Sequence, residues 1–158
     1  MKYLNKIEYK LVKEQVSDYH TKQLTSPRDA YDWFKHLEDS DREKFIVVCL
    51  DVKNKVVCFD IVGIGSVSHV AVSPREIIKS AILSNASGII LIHNHPSGDC
   101  MPSPQDEKLT DNMKRACDMF EITVVDHLIV GKGQYYSIAD NKRTHIDNTD
   151  KLASIMNE

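Results

Sequence analysis

Gly88-Ile89-Ile90-Leu91-Ile92-His93-Asn94-His95-Pro96 is the stretch on which the fold turns. Ile89 to Ile92 is apolar at every position, so it suits a strand covered on both faces rather than one with a wet side. The segments around it supply the cover. Ser73 and Pro74 open a helix before it, with Ile77, Ile78, Ala81 and Ile82 at three-four spacing, and another helix begins at Ser103 after it. A buried strand between two helices is a unit of a layered α/β or α+β domain.

Further out, Ser26 and Pro27 start a helix whose buried face is Ala30, Trp33, Phe34 and Leu37. Phe45 to Leu50 and Val56 to Val62 read as two strands joined by the polar turn Asp51 to Lys55. A strand is expected over Val67 to Val72, after Gly63 and Gly65. Ile122 to Val130 and Gln134 to Ile138 complete the set around the tight turn Gly131 to Gly133. The expectation is an α/β fold, a mixed β-sheet flanked by helices, over residues 26–140. Residues 1–25 read as an N-terminal arm and 141–158 as a polar tail.

Composition agrees with one core: 158 residues, 42% hydrophobic and 27% charged. The formal charge of −3 removes the electrostatic argument for a general phosphate-backbone binder. No apolar run approaches a membrane span and no signal-peptide pattern opens the chain, so the expectation is a soluble, cytoplasmic protein with no membrane partner. Cys49, Cys58, Cys100 and Cys117 lack CxxC spacing and read as reduced packing residues. Of the seven histidines, His20, His36, His69 and His145 carry no special pattern.

The chemistry concentrates after the buried strand. Residues two apart on an extended backbone face one side, so His93 and His95 can aim both imidazoles at one point. Asp106 follows in the first turn of the next helix. Two imidazoles and a carboxylate form a three-ligand set suited to a catalytic zinc with an open position for water. Each member also has a structural reading. The histidines can cap the strand end or bond within the loop. Asp106 can be a capping-box acid, because Ser26-Pro27-Arg28-Asp29, Ser73-Pro74-Arg75-Glu76 and Ser103-Pro104-Gln105-Asp106 all place a hydroxyl at the N-cap, proline next and an acid at the third helical position. Ser103 is an N-cap first and a hydroxyl donor to a substrate oxygen second. Cys100 is an alternative third ligand, less favoured than a plain loop cysteine.

His-x-His-Pro followed by Ser-x-x-Asp resembles the JAMM motif of the MPN+ metalloprotease fold, and His93-Asn94-His95-Pro96-Ser97-Gly98-Asp99 resembles bacterial RadC proteins in particular. Arg42-Glu43-Lys44-Phe45, Pro74-Arg75-Glu76 and Asp126-His127 extend the likeness from about Ser26 to Ile138. The resemblance implies a cytidine-deaminase-like α/β fold and Zn2+ on His93, His95 and Asp106. It further implies Glu43 as the general base acting on a metal-activated water and Ser103 as the oxyanion donor. Taken from the residues alone, Glu43 is one charge in the run Glu38 to Lys44. Asp126 and His127 stand out in an otherwise apolar strand, either near the cleft or in a structural hydrogen-bonded pair.

The leading expectation is therefore a zinc-dependent hydrolase of peptide or isopeptide-type amide bonds, with a peptide or protein as partner. The alternative is a DNA repair or recombination accessory protein with a structural metal. Longer RadC proteins carry a helix-hairpin-helix segment before this domain, and residues 1–25 are expected not to form one, which with the net charge argues against direct DNA binding. An HNH nuclease is excluded because its motif residues are dispersed over a ββα unit, and a zinc deaminase because Pro-Cys-x-x-Cys is absent. An exposed edge strand would allow a homo-oligomer.

Overall fold

The computed structural model describes residues 23–65 and 72–146. The arm through residue 22, most of the strand expected at Val67 to Val72, and the tail from residue 147 lie outside the described residues. Three α-helices, α1 (Pro27–Phe34), α2 (Pro74–Leu83) and α3 (Pro104–Asp118), pack on six strands. The strands are β1 (Lys44–Leu50), β2 (Val56–Ile64), β3 (Gly88–Asn94), β4 (Thr123–Gly131), β5 (Gln134–Ser137) and β6 (Lys142–His145). They form one mixed sheet in the order β2-β1-β3-β4-β5-β6, as the α/β reading requires. The β3 to β4 pair is parallel and crosses over through α3, while the other pairs are antiparallel. Parallel strands need such a crossover, whereas the tight turns join antiparallel neighbours.

β3 is buried at every position, the signature of a centre strand with helices on both faces. Alternation sorts the core into two layers. Ile46, Val48, Leu50, Ile90 and Ile92 pack with Ala30, Tyr31, Phe34 and Leu37 of α1 and the 3-10 turn (Lys35–Asp39) that follows it. Phe45, Val47, Cys49, Ile89 and Leu91 pack with Ile77 and Ala81 of α2 and Met113 and Cys117 of α3. The hairpin between β1 and β2 closes at Asn54, which has a positive φ of 56°, and Asp51 Oδ1 accepts the amides of Lys53 and Lys55 at 2.8 and 2.9 Å.

Several local expectations need correction. Capping boxes form at Ser26 and Ser103, but Ser73 makes no side-chain cap, and Glu76 pairs with Lys79. The buried face of α2 is Ile77, Ser80 and Ala81, and Ile82 is largely exposed. Cys100 is wholly buried against Ile129 and Tyr136, so it packs and does not join the histidines. The sheet also continues past residue 140. β6 is mostly exposed and pairs through its backbone at an edge, so hydropathy carried no sign of it. At the other end Leu24 is part of the core and Gln23 bridges to Lys55, so residues 23–25 belong to the fold. Among the described residues no helix is long and apolar enough to cross a membrane.

Candidate metal centre

His93 is in phase with Ile89 and Leu91, so its ring enters the α2/α3 layer and has no exposed surface. It lies flat on Phe45, its pairing partner on β1, with ring centroids 5.5 Å apart and planes 9° from parallel. His95 leaves the strand end, its amide donating to the Val130 carbonyl at 3.0 Å. The loop behind it is clamped through the Gly98 carbonyl, which accepts the Lys132 amide and Gln134 Nε2, each at 2.8 Å. Gly131 permits this approach: a Cβ there would meet the Gly98 carbonyl oxygen at 2.4 Å and the Cys100 nitrogen at 2.9 Å. Backbone cannot yield cheaply, so Gly131→Ala is expected to lower stability by about 1–3 kcal/mol and to displace His95, as measured by thermal unfolding and by the histidine ring resonances.

Asp106 serves as cap and as site residue in one geometry. Its Oδ2 accepts the Ser103 amide at 2.7 Å and the Ser103 hydroxyl at 2.6 Å, which aims the carboxylate back along the helix start. Asp106 Oδ1 then lies 3.2 Å from His93 Nε2, Asp106 Oδ2 lies 3.5 Å from His95 Nε2, and the two Nε2 atoms are 3.1 Å apart. Tetrahedral zinc bonds of about 2.0–2.1 Å would separate neighbouring donor atoms by roughly 3.3 Å, so the donor set fits such an ion. Among the described residues, His93, His95 and Asp106 are the group that could hold a metal.

The electrostatics follow from burial and these contacts. Burial would raise the Asp106 carboxyl, but hydrogen bonds from both histidines, the charge of His93 and the Ser103 hydroxyl hold it far below the ordinary carboxylate range. Burial would lower His95, yet Asp106, the Asp99 carbonyl and the Glu43 charge together raise it. Its Nδ1 lies 2.8 Å from that carbonyl. His127, fully buried, is pushed well below the usual imidazole value by burial first and by His93 second.

Glu43, half-buried, sits one residue before β1, with its charge in reach of His95. The reason it is held there is Asn94, a residue that sequence reasoning used only as the middle of His-Asn-His. Asn94 Oδ1 accepts the Lys44 amide at 2.9 Å and Asn94 Nδ2 donates to the Arg42 carbonyl at 3.1 Å, so one side chain brackets Glu43 on both sides. The Glu43 carbonyl also accepts the Gly65 amide at 2.8 Å. Ser103 adjoins the cluster, but its hydroxyl proton is committed to Asp106. Asp126 and His127, adjacent in sequence, serve different faces. Asp126 accepts the His127 amide, the Ser137 hydroxyl and the Ala139 amide at 2.7, 2.7 and 3.0 Å, and thereby ties β4 to the turn after β5. His127 Nε2 lies 2.8 Å from His93 Nδ1, and its Nδ1 lies 2.6 Å from the hydroxyl of Thr110. Thr110, four residues after Asp106 and so on its helix face, was detectable by spacing alone.

Comparison with known proteins agrees with this geometry. Residues 24–143 match the RadC-like JAB domain family. Similar curated proteins include a UPF0758 protein of Methanosarcina barkeri, 40% identical over 120 residues, covering 75% of this chain and 52% of that one. A UPF0758 protein of Actinobacillus pleuropneumoniae is 45% identical over 106 residues, covering 67% and 48%. One from Haemophilus ducreyi is 39% identical over 149 residues, covering 90% and 66%. The chain spans about half the length of the first two. With its sheet, its His-His-Asp cluster and most of its described length matched, the chain belongs to the RadC-like JAB domain family, whose fold is that of the JAMM-type metal-dependent hydrolases.

Proposed function

We propose that this domain is a zinc-dependent hydrolase of peptide or isopeptide-type amide bonds, acting on a peptide or protein. The supporting observation is the donor set: His93 Nε2, His95 Nε2 and the Asp106 carboxylate lie at separations that suit a tetrahedral ion, with His95 at the open side. Bound there, zinc would supply Lewis acidity, polarising a scissile carbonyl and lowering the pKa of water to about 7. Glu43, held by its backbone at the edge of the cluster, accepts the proton of the attacking water and delivers it to the leaving nitrogen. Ser103 holds the carboxylate of Asp106, and donation to a developing oxyanion requires its hydroxyl to exchange that bond.

The test is turnover of fluorogenic peptide amides and lysine-isopeptide substrates by the zinc-loaded protein. Glu43→Gln is expected to retain zinc and lose at least about 100-fold in rate, the usual contribution of a positioned acid-base group. Hydrolysis unchanged in Glu43→Gln, or absent from a wild-type protein that holds zinc, would refute this reading. Asn94→Ala is expected to lower the same rate without releasing zinc, since it frees both backbone groups beside Glu43 while leaving the three donor residues in place.

A further inference from the structure

We infer that Thr110 and His127 are positioning residues that hold a proton on His93 Nδ1, so that Nε2 is the ring nitrogen left for the cluster. The inference rests on reading His93, His95 and Asp106 as metal ligands, and it follows from counting protons along one chain of contacts. The chain begins at the main-chain carbonyl of Asp106, which can only accept. Thr110 Oγ1 lies 2.7 Å from that oxygen and donates its single proton to it. Toward His127 Nδ1, at 2.6 Å, the Thr110 oxygen is therefore an acceptor, so the proton of that contact belongs to Nδ1. His127 has no exposed surface and no carboxylate bonded to its ring; a second ring proton would bury an unpaired charge. Its Nε2 consequently carries a lone pair and accepts the Nδ1 proton of His93 at 2.8 Å. That fixes a proton on His93 Nδ1 and leaves Nε2, 3.2 Å from Asp106 Oδ1 and 3.1 Å from His95 Nε2, as the ring nitrogen that a metal can take.

His95 reaches the same state by a shorter route, since its Nδ1 donates directly to the Asp99 carbonyl at 2.8 Å. Two acceptor-only carbonyls thus set both rings, one directly and one through two side chains. The longer path starts and finishes on Asp106: its carbonyl orders the relay and its carboxylate faces the nitrogen that the relay exposes. Reversing any one proton would put the single proton of a neutral His93 on Nε2 and block it as a ligand.

The test uses the full chain, stripped by a chelator and labelled with 15N-histidine, with long-range 1H–15N spectra recorded at neutral pH. A protonated Nδ1 on both His93 and His127, with a bare Nε2 on His127, is expected in the wild-type apoprotein. Thr110→Val keeps the shape of the side chain and removes the hydroxyl, and it is expected to lose this uniform signature and weaken zinc binding by about 10–100-fold, with Thr110→Ser restoring both. Circular dichroism of the three proteins separates this from unfolding. A bare Nδ1 and protonated Nε2 on His93, or wild-type tautomers and zinc affinity in Thr110→Val, would overturn the relay. A wild-type protein with the expected tautomers but no zinc binding would overturn the ligand reading and leave the relay standing.

Discussion

Asp106→Ala is expected to fail twice, once as a metal site and once as a helix start. In the proposed zinc site, loss of the carboxylate removes one of three donors, so zinc affinity is expected to fall by more than the roughly 10–100-fold that changes outside the donor set cause. The same carboxylate accepts the Ser103 amide and hydroxyl at 2.7 and 2.6 Å, and losing that half of the capping box costs about 1 kcal/mol in the apoprotein, or roughly 2–4 °C in Tm. Asp106→Asn separates the two effects. An amide oxygen still accepts from the Ser103 backbone but is a weak metal donor, so the apoprotein Tm stays near wild type while zinc is lost. Zinc titration beside thermal unfolding of chelated samples reads both, and equal zinc affinity across the three proteins would remove Asp106 from the site.

Phe45→Ala is expected to be the most destabilising substitution near the cluster, costing about 3–5 kcal/mol in denaturant unfolding. Phe45 is 1% exposed and belongs to the α2/α3 layer, and its ring is parallel to His93 and tilted against His127, with centroids 5.5 and 5.4 Å away. Truncation would leave a cavity under His93, so zinc affinity at the proposed site should fall alongside stability. Phe45→Leu keeps most of the volume and should lose less of both. Stability near wild type in Phe45→Ala would mean that neighbouring side chains fill the space, and that the flat stacking on His93 contributes little to holding the ring.

The route from core to site explains how much was legible beforehand. Ile89 to Ile92 is apolar without interruption, so its place at the sheet centre could be read directly, and period-two alternation then sends His93 to one helical layer. The three Ser-Pro-x-acid starts were equally local, although the structure forms side-chain caps at only two of them. Glu43 was different. Its own residues give it the look of one charge among several, and resemblance alone singled it out. The bonds from Asn94 to Arg42 and Lys44 that locate it join segments about fifty positions apart.

His127 marks the boundary most clearly. A regular strand over Ile122 to Val130 would place Val124 and Asp126 on one face and His127 on the other. The pairing of β3 with β4 instead skips Val125: Ile89 opposes Val124, whereas Ile90 opposes Asp126 and Leu91 opposes His127. One extra residue reverses the phase beyond it, so Val124 and His127 both enter the α2/α3 layer while Asp126 turns to the opposite face. Sequence by itself determined the buried strand, the helix starts and the two histidines with their acid, because strand period and cap chemistry act within a few residues. Only the tertiary structure decided the bulge, the clamp of Gly131 on the His95 loop, the bracketing of Glu43 and the path from Thr110 to His93, because each depends on register between segments distant in the chain.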